Sequence, residues 1–132
     1  MKPILAVAAL VLSLAGCVST QVTKATSIPD KTLCIVDNPN VRVAFRDAYE
    51  RQVRAKGYET KIVNSDATCP TTSTYTASYG FHWGVYLASA RLTINSNGKQ
   101  IGEANYHAPY ASPEKHGHVE GKIEALVKEL LP

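Results

Sequence analysis

Hydrophobic and polar positions along this chain repeat with one of two periods, and the switch from one to the other marks its elements. Lys31 to Asp37 (KTLCIVD) is a short apolar run bounded by polar residues, the pattern of a strand carrying Cys34. Asn38-Pro39 breaks it, because proline has no N–H for a sheet ladder, and Asn40 stands where it could cap a helix. Val41, Phe45, Ala48, Tyr49 and Val53 then fall on one helical face, with Arg42, Arg46, Glu50, Arg51 and Arg54 on the others and Gly57 as the stop. Tyr58 to Asn64 reads as a second strand. From Thr71 to Gly80 the period is two, with Ser73, Tyr75, Ala77 and Tyr79 on one side and Thr72, Thr74, Thr76 and Ser78 on the other. Val85 to Ile94 and Lys99 to Tyr106 flank Asn97-Gly98, which suits a tight hairpin. Ser112-Pro113-Glu114 opens a last helix with apolar positions Val119, Ile123, Leu126, Val127 and Leu130; Gly117 and Gly121 weaken its start and place the regular part nearer Val119.

The order is strand, helix, four strands, helix. It predicts an α+β domain over residues 31–132, with a four- to five-stranded, mostly antiparallel sheet carrying both helices on one face. Residues 18–30 (VSTQVTKATSIPD) are polar, show no sustained period, and read as a flexible tether.

The N-terminus has a different pattern. Lys2 precedes an apolar run from Ile4 to Leu14, and small residues lead to Cys17. Such a run spans about 16 Å as a helix, well short of the roughly 30 Å bilayer core, so residues 1–16 are expected to be a signal peptide and not a membrane span. Leu14-Ala15-Gly16-Cys17 resembles the lipobox of bacterial lipoproteins. That resemblance implies cleavage before Cys17, a diacylglycerol thioether on its sulfur, and acylation of the new N-terminus. Several acyl chains anchor a protein where one holds only marginally. The alternative is an ordinary secretory signal with a chance cysteine. Val18 stands where an aspartate would retain an enterobacterial lipoprotein at the inner membrane, so the resemblance points to the periplasmic face of the outer membrane.

Composition sharpens this picture. The chain has 132 residues with a 45% hydrophobic content, enough for one packed domain and too apolar for disorder. Its formal charge of +3 includes Lys2, and there is no basic run, which argues against nucleic acid as a partner. With Cys17 taken by lipid, Cys34 and Cys69 remain as a pair in an oxidising compartment and are expected to form a disulfide; no CxxC spacing suggests redox chemistry. The element order over residues 31–131, together with the lipobox, resembles small periplasmic domains of the TolB N-terminal and CsgG-like type.

Candidate chemistry is sparse. No GxSxG, HExxH or phosphate-binding glycine loop is present, so neither an enzyme nor a cofactor is expected. His107, His116 and His118, near Glu114 and Glu120, form a candidate metal set, although His-x-His on a helix would turn its two rings apart. Tyr75, Tyr79, Phe81, Trp83 and Tyr86 crowd one stretch in which Gly80 and Gly84 suggest a bend that exposes Trp83. Trp83 and Tyr86, with Arg42 and Arg46 from the basic helix face, are the candidate contacts for a partner, expected to be an envelope protein or peptidoglycan. The expected function is that of a non-enzymatic accessory or binding module anchored at the outer membrane; the alternative is a metal-binding or stress-protective protein using the three histidines.

Overall fold

The structure, a computed structural model, describes residues 17–112 and 115–132. The expected signal peptide, the lipobox residues before Cys17, and Pro113 and Glu114 lie outside the described residues.

The strands are β1 (Ser19–Thr23), β2 (Thr32–Val36), β3 (Glu59–Val63), β4 (Thr71–Phe81), β5 (Val85–Ser96) and β6 (Lys99–His107); the helices are α1 (Val43–Ala55) and α2 (Val119–Leu130). They form one six-stranded sheet in the order β1-β6-β5-β4-β2-β3. The predicted α+β class holds, but the sheet is mixed. β2 runs parallel to both β3 and β4, and the rest of the pairing is antiparallel. β2, α1 and β3 make a crossover unit, in which the helix covers the sheet while the chain returns to run parallel.

The strand count departs from expectation at the N-terminal side. The stretch read as a tether is instead β1, antiparallel to β6 from Ser19↔His107 to Thr23↔Glu103, followed by buried Ala25 and Ile28. Ala25 donates its N–H to the carbonyl of Leu130 and packs on Gly102, where an added Cβ would come within 2.7 Å of the Ala25 side chain. The pattern hid this strand because an edge strand with few apolar side chains takes its stability from ladder hydrogen bonds, which periodicity does not report.

One face of the sheet is buried. Thr71, Ser73 and Tyr75 of β4, Leu92 and Ile94 of β5, and Ala104 and Tyr106 of β6 face a single core that both helices close with Phe45, Tyr49, Val53, Ile123, Leu126 and Leu130. The opposite face is open and carries Thr74, Thr76, Arg91 and Glu103, as the period-two reading of β4 requires. Asn40 does not cap α1: the helix starts at Val43 after Arg42, and Asn38 takes the capping role in the preceding turn, accepting from the Asn40 N–H at 3.0 Å. Gly57 closes α1 at φ 103°, where the absence of a Cβ makes the left-handed conformation cheap.

The β2–β4 seam consists of only two register pairs, Cys34↔Thr72 and Ile35↔Ser73. Three further contacts reinforce it. Cys34 is joined to Cys69 with a Cα–Cα distance of 6.4 Å, as the cysteine count predicts. The buried Tyr49 hydroxyl lies 2.6 Å from the Ser73 hydroxyl, and burial pushes its pKa up so that it stays protonated. Asn38 donates its backbone N–H to the Tyr75 hydroxyl and its amide to the Tyr75 carbonyl, both at 3.0 Å.

Substitution tests the bridge and the N-terminal packing separately. Cys34→Ser with Cys69→Ser removes a crosslink spanning 35 residues. It is expected to lower the unfolding free energy by about 4 kcal/mol in the chain-entropy account, read from urea midpoints. Gly102→Ala forces Ala25 off β6 and is expected to cost about 1–3 kcal/mol; a neutral result would show that residues 24–28 do not hold this packing in solution.

Candidate functional site

β4 and β5 run past their neighbours and turn at residues 82–84, so the hairpin tip projects beyond the sheet. A register shift at Ser78/Tyr79 places Ala88 outside the ladder, and the Ala108 N–H bonds the Ala88 carbonyl at 2.8 Å. Beyond this bulge Gly80 faces Tyr86, and the Tyr86 ring occupies the space a Cβ on Gly80 would need, within 2.6 Å. Glycine is required here by close approach. At the turn His82 donates its N–H to the Gly84 carbonyl at 2.9 Å, and Trp83 adopts φ 62°. A left-handed backbone on so bulky a residue costs on the order of 1–3 kcal/mol, and it aims the indole outward, 92% exposed. Phe81 and Val85 oppose each other in register, share a face, and are 73% and 54% exposed. Tyr110, from the segment after β6, adds a fourth exposed apolar side chain.

Beneath the tip lies a buried cation. Lys115 is 3% exposed, and its ammonium sits 4.7 Å from the ring centre of Tyr110 and 5.3 Å from that of Tyr86. It donates to the Tyr110 carbonyl and lies 2.6 Å from Nδ1 of His82. An ammonium has only donors, so His82 accepts through Nδ1 and carries its proton on Nε2. The His82 ring lies 4.4 Å from Tyr110 and 6.3 Å from His116. Together these contacts hold Tyr110, Lys115 and His116 against the hairpin, and cation–π attraction compensates part of the desolvation of the ammonium.

Of the residues singled out by sequence, Trp83 is at the apex and Tyr86 is buried in its base. Arg42 stacks over Tyr79 at 4.3 Å, at the mouth of a groove of about 280 Å³ between α1, α2 and the end of β4. Arg46 is held by Asp37 and Asp47, both at 3.2 Å, which occupies its charge within the fold. Cys17 is exposed with a free thiol. The histidines of the candidate metal set fall on different parts of the fold: His107 ends β6, His118 precedes α2, and His116 lies 5.7 Å from Tyr86. Among the described residues no group of three or more His, Cys, Asp or Glu side chains is arranged to hold a metal ion. Glu120 instead binds Arg51 at 2.8 Å and joins the two helices.

His82, Lys115 and Tyr110 escaped the sequence reading. Lys115 stands 33 positions from His82, and no local pattern marks a lysine that will be buried by a distant hairpin. Phe81 and Val85 were visible as apolar neighbours of Trp83, but their exposure beside the turn was not.

Burial, then the neighbouring Lys115 and His116 charges, hold the His82 pKa below its ordinary value of 6.5. Between the folded and unfolded pKa values the unfolded chain binds more protons, so the contribution of His82 is complete above the unfolded value and is lost as pH falls below it. Hydrogen exchange of the hairpin amides, corrected for intrinsic rates, is therefore expected to accelerate between about pH 7 and pH 5, and His82→Gln, which keeps an acceptor without the titration, is expected to flatten that dependence.

No protein-family model matches this chain, and no curated protein matches it significantly. Among solved structures it is similar to the PelC dodecamer from Paraburkholderia phytofirmans at TM-score 0.57 and 10% identity, over 83% of this chain and 91% of that one. A PDZ domain protein from Parabacteroides distasonis aligns at TM-score 0.42 and 11% identity over 83% of this chain and 35% of that chain, too loose to carry an argument. The first likeness shows a shared fold and nothing further.

Proposed function

We propose that this protein is a non-enzymatic lipoprotein held at the periplasmic face of the outer membrane, where its domain serves as an accessory or binding module for another envelope component. The division of the cysteines carries this reading. Cys34 and Cys69 are joined to each other, while Cys17, which follows Leu14-Ala15-Gly16, is exposed and unpaired. A disulfide suits an oxidising compartment, and an exposed thiol at the end of a lipobox suits lipid attachment. The surfaces left for an envelope partner are the open sheet face and the groove beside Arg42. The domain offers shape and polar contact there, and the sequence contains no recognisable nucleophile motif or acid pair to suggest turnover.

Metabolic labelling with a palmitate analogue tests the anchor. Wild-type protein is expected to take up label and to band with outer membranes on a density gradient, and Cys17→Ala is expected to lose the label and appear in the soluble periplasmic fraction. Persistent labelling of the variant, or banding of the wild type with inner membranes, would overturn the assignment.

A further inference from the structure

β1 pairs with β6 at Ser19↔His107, and β6 pairs with β5 at Ser89↔His107, so Ser19, His107 and Ser89 lie in one row across the sheet. Beyond that row, at the same end of the sheet, β1 continues back to Cys17, and β5 continues back to Val85 and the hairpin turn. Cys17 and Trp83 therefore leave the domain in the same direction. At about 3.3 Å per residue the turn projects roughly 20 Å past the row, and Cys17 about 7 Å. Neighbouring strands are about 4.8 Å apart, so the path of β1 is offset from that of β5 by only about 10 Å. Val18 is partly buried against the core, which leaves almost no slack between Cys17 and the first strand. A lipid on Cys17 would thus bring this end of the sheet onto the bilayer.

The chemistry of the tip suits that position. Trp83, Phe81, Val85 and Tyr110 are exposed apolar side chains at one end of the molecule, and the strained turn holds the indole outermost. Tryptophan and tyrosine favour the membrane–water interface, where a ring has apolar surroundings and its polar edge still meets water. The Lys115 clamp stiffens the hairpin, which lowers the ordering cost of a small contact.

We propose that the Phe81–Val85 tip inserts into the interfacial layer of the leaflet that carries the lipid of Cys17, so that the domain meets the membrane by this end of the sheet, fixed at two points, with its open sheet face standing out of the bilayer. This rests on the lipoprotein reading and deepens it. Trp83 becomes a lipid contact, and the partner surface moves to the sheet face and the α1–α2 groove.

Trp83 is the one tryptophan of the sequence, so its fluorescence reports on this tip alone. Coupling the purified protein through Cys17 to vesicles bearing a maleimide lipid replaces the acyl anchor and makes the test independent of processing in cells. Trp83 emission is expected to shift to the blue and to lose most of its intensity when the vesicle phospholipid is brominated. Phe81→Ser with Val85→Ser, folded by circular dichroism, is expected to keep the emission red and unquenched. Coupled wild-type protein whose emission stays red and unquenched would overturn the proposal, even if palmitate labelling of Cys17 succeeds. Quenching without palmitate labelling would uphold tip insertion and remove the natural anchor instead.

Discussion

The fold depends on a narrow seam. The β2–α1–β3 crossover unit and the β4–β5–β6 meander each bury part of their own surface, yet in the sheet they meet only through two register pairs between β2 and β4. A parallel contact so short contributes few ladder bonds. The molecule compensates with side chains drawn from both halves: the Cys34–Cys69 bridge, the Tyr49–Ser73 hydroxyl pair, and Asn38 clasping both the hydroxyl and the carbonyl of Tyr75. Tyr75 also stacks on Phe45 at 5.8 Å and meets Tyr49 edge-on at 6.2 Å, so one ring of β4 holds α1 in place. Helix α2 closes the same core, joined to α1 by Arg51 and Glu120.

A well-fixed sheet allows two of its strands to run on beyond it. The contacts that brace the hairpin tip are a bulge, a glycine under an aromatic ring, and a buried lysine between two tyrosines. Two features of the tip cost something locally: the left-handed backbone of Trp83 and the desolvated ammonium of Lys115. These costs are gathered at one exposed apex, away from the core.

The same geometry links the tip to the N-terminal strand. Because β1 is laid down on β6, Cys17 has a fixed position relative to the hairpin. In the proposed lipoprotein a flexible leader would let the domain tumble about its anchor, whereas a strand beginning two residues after the cysteine would set which end of the domain meets the membrane.

Local physics determined much of this in advance. Periods of two and 3.6 gave five of the six strands and both helices, Gly57 and Asn97-Gly98 marked a helix end and a turn, and cysteine parity pointed to Cys34 with Cys69. These features depend on neighbours close in sequence or on simple pairing, so they can be read without coordinates. Tertiary structure alone decided the rest. β1 became a strand through hydrogen bonds to β6, Lys115 was buried beside a hairpin 33 positions away, and Phe81 and Val85 were left exposed beside the turn. Side-chain periodicity records which face of an element is apolar; it does not record which backbone edge finds a partner or where the cover stops, because those depend on groups brought together only by the completed fold.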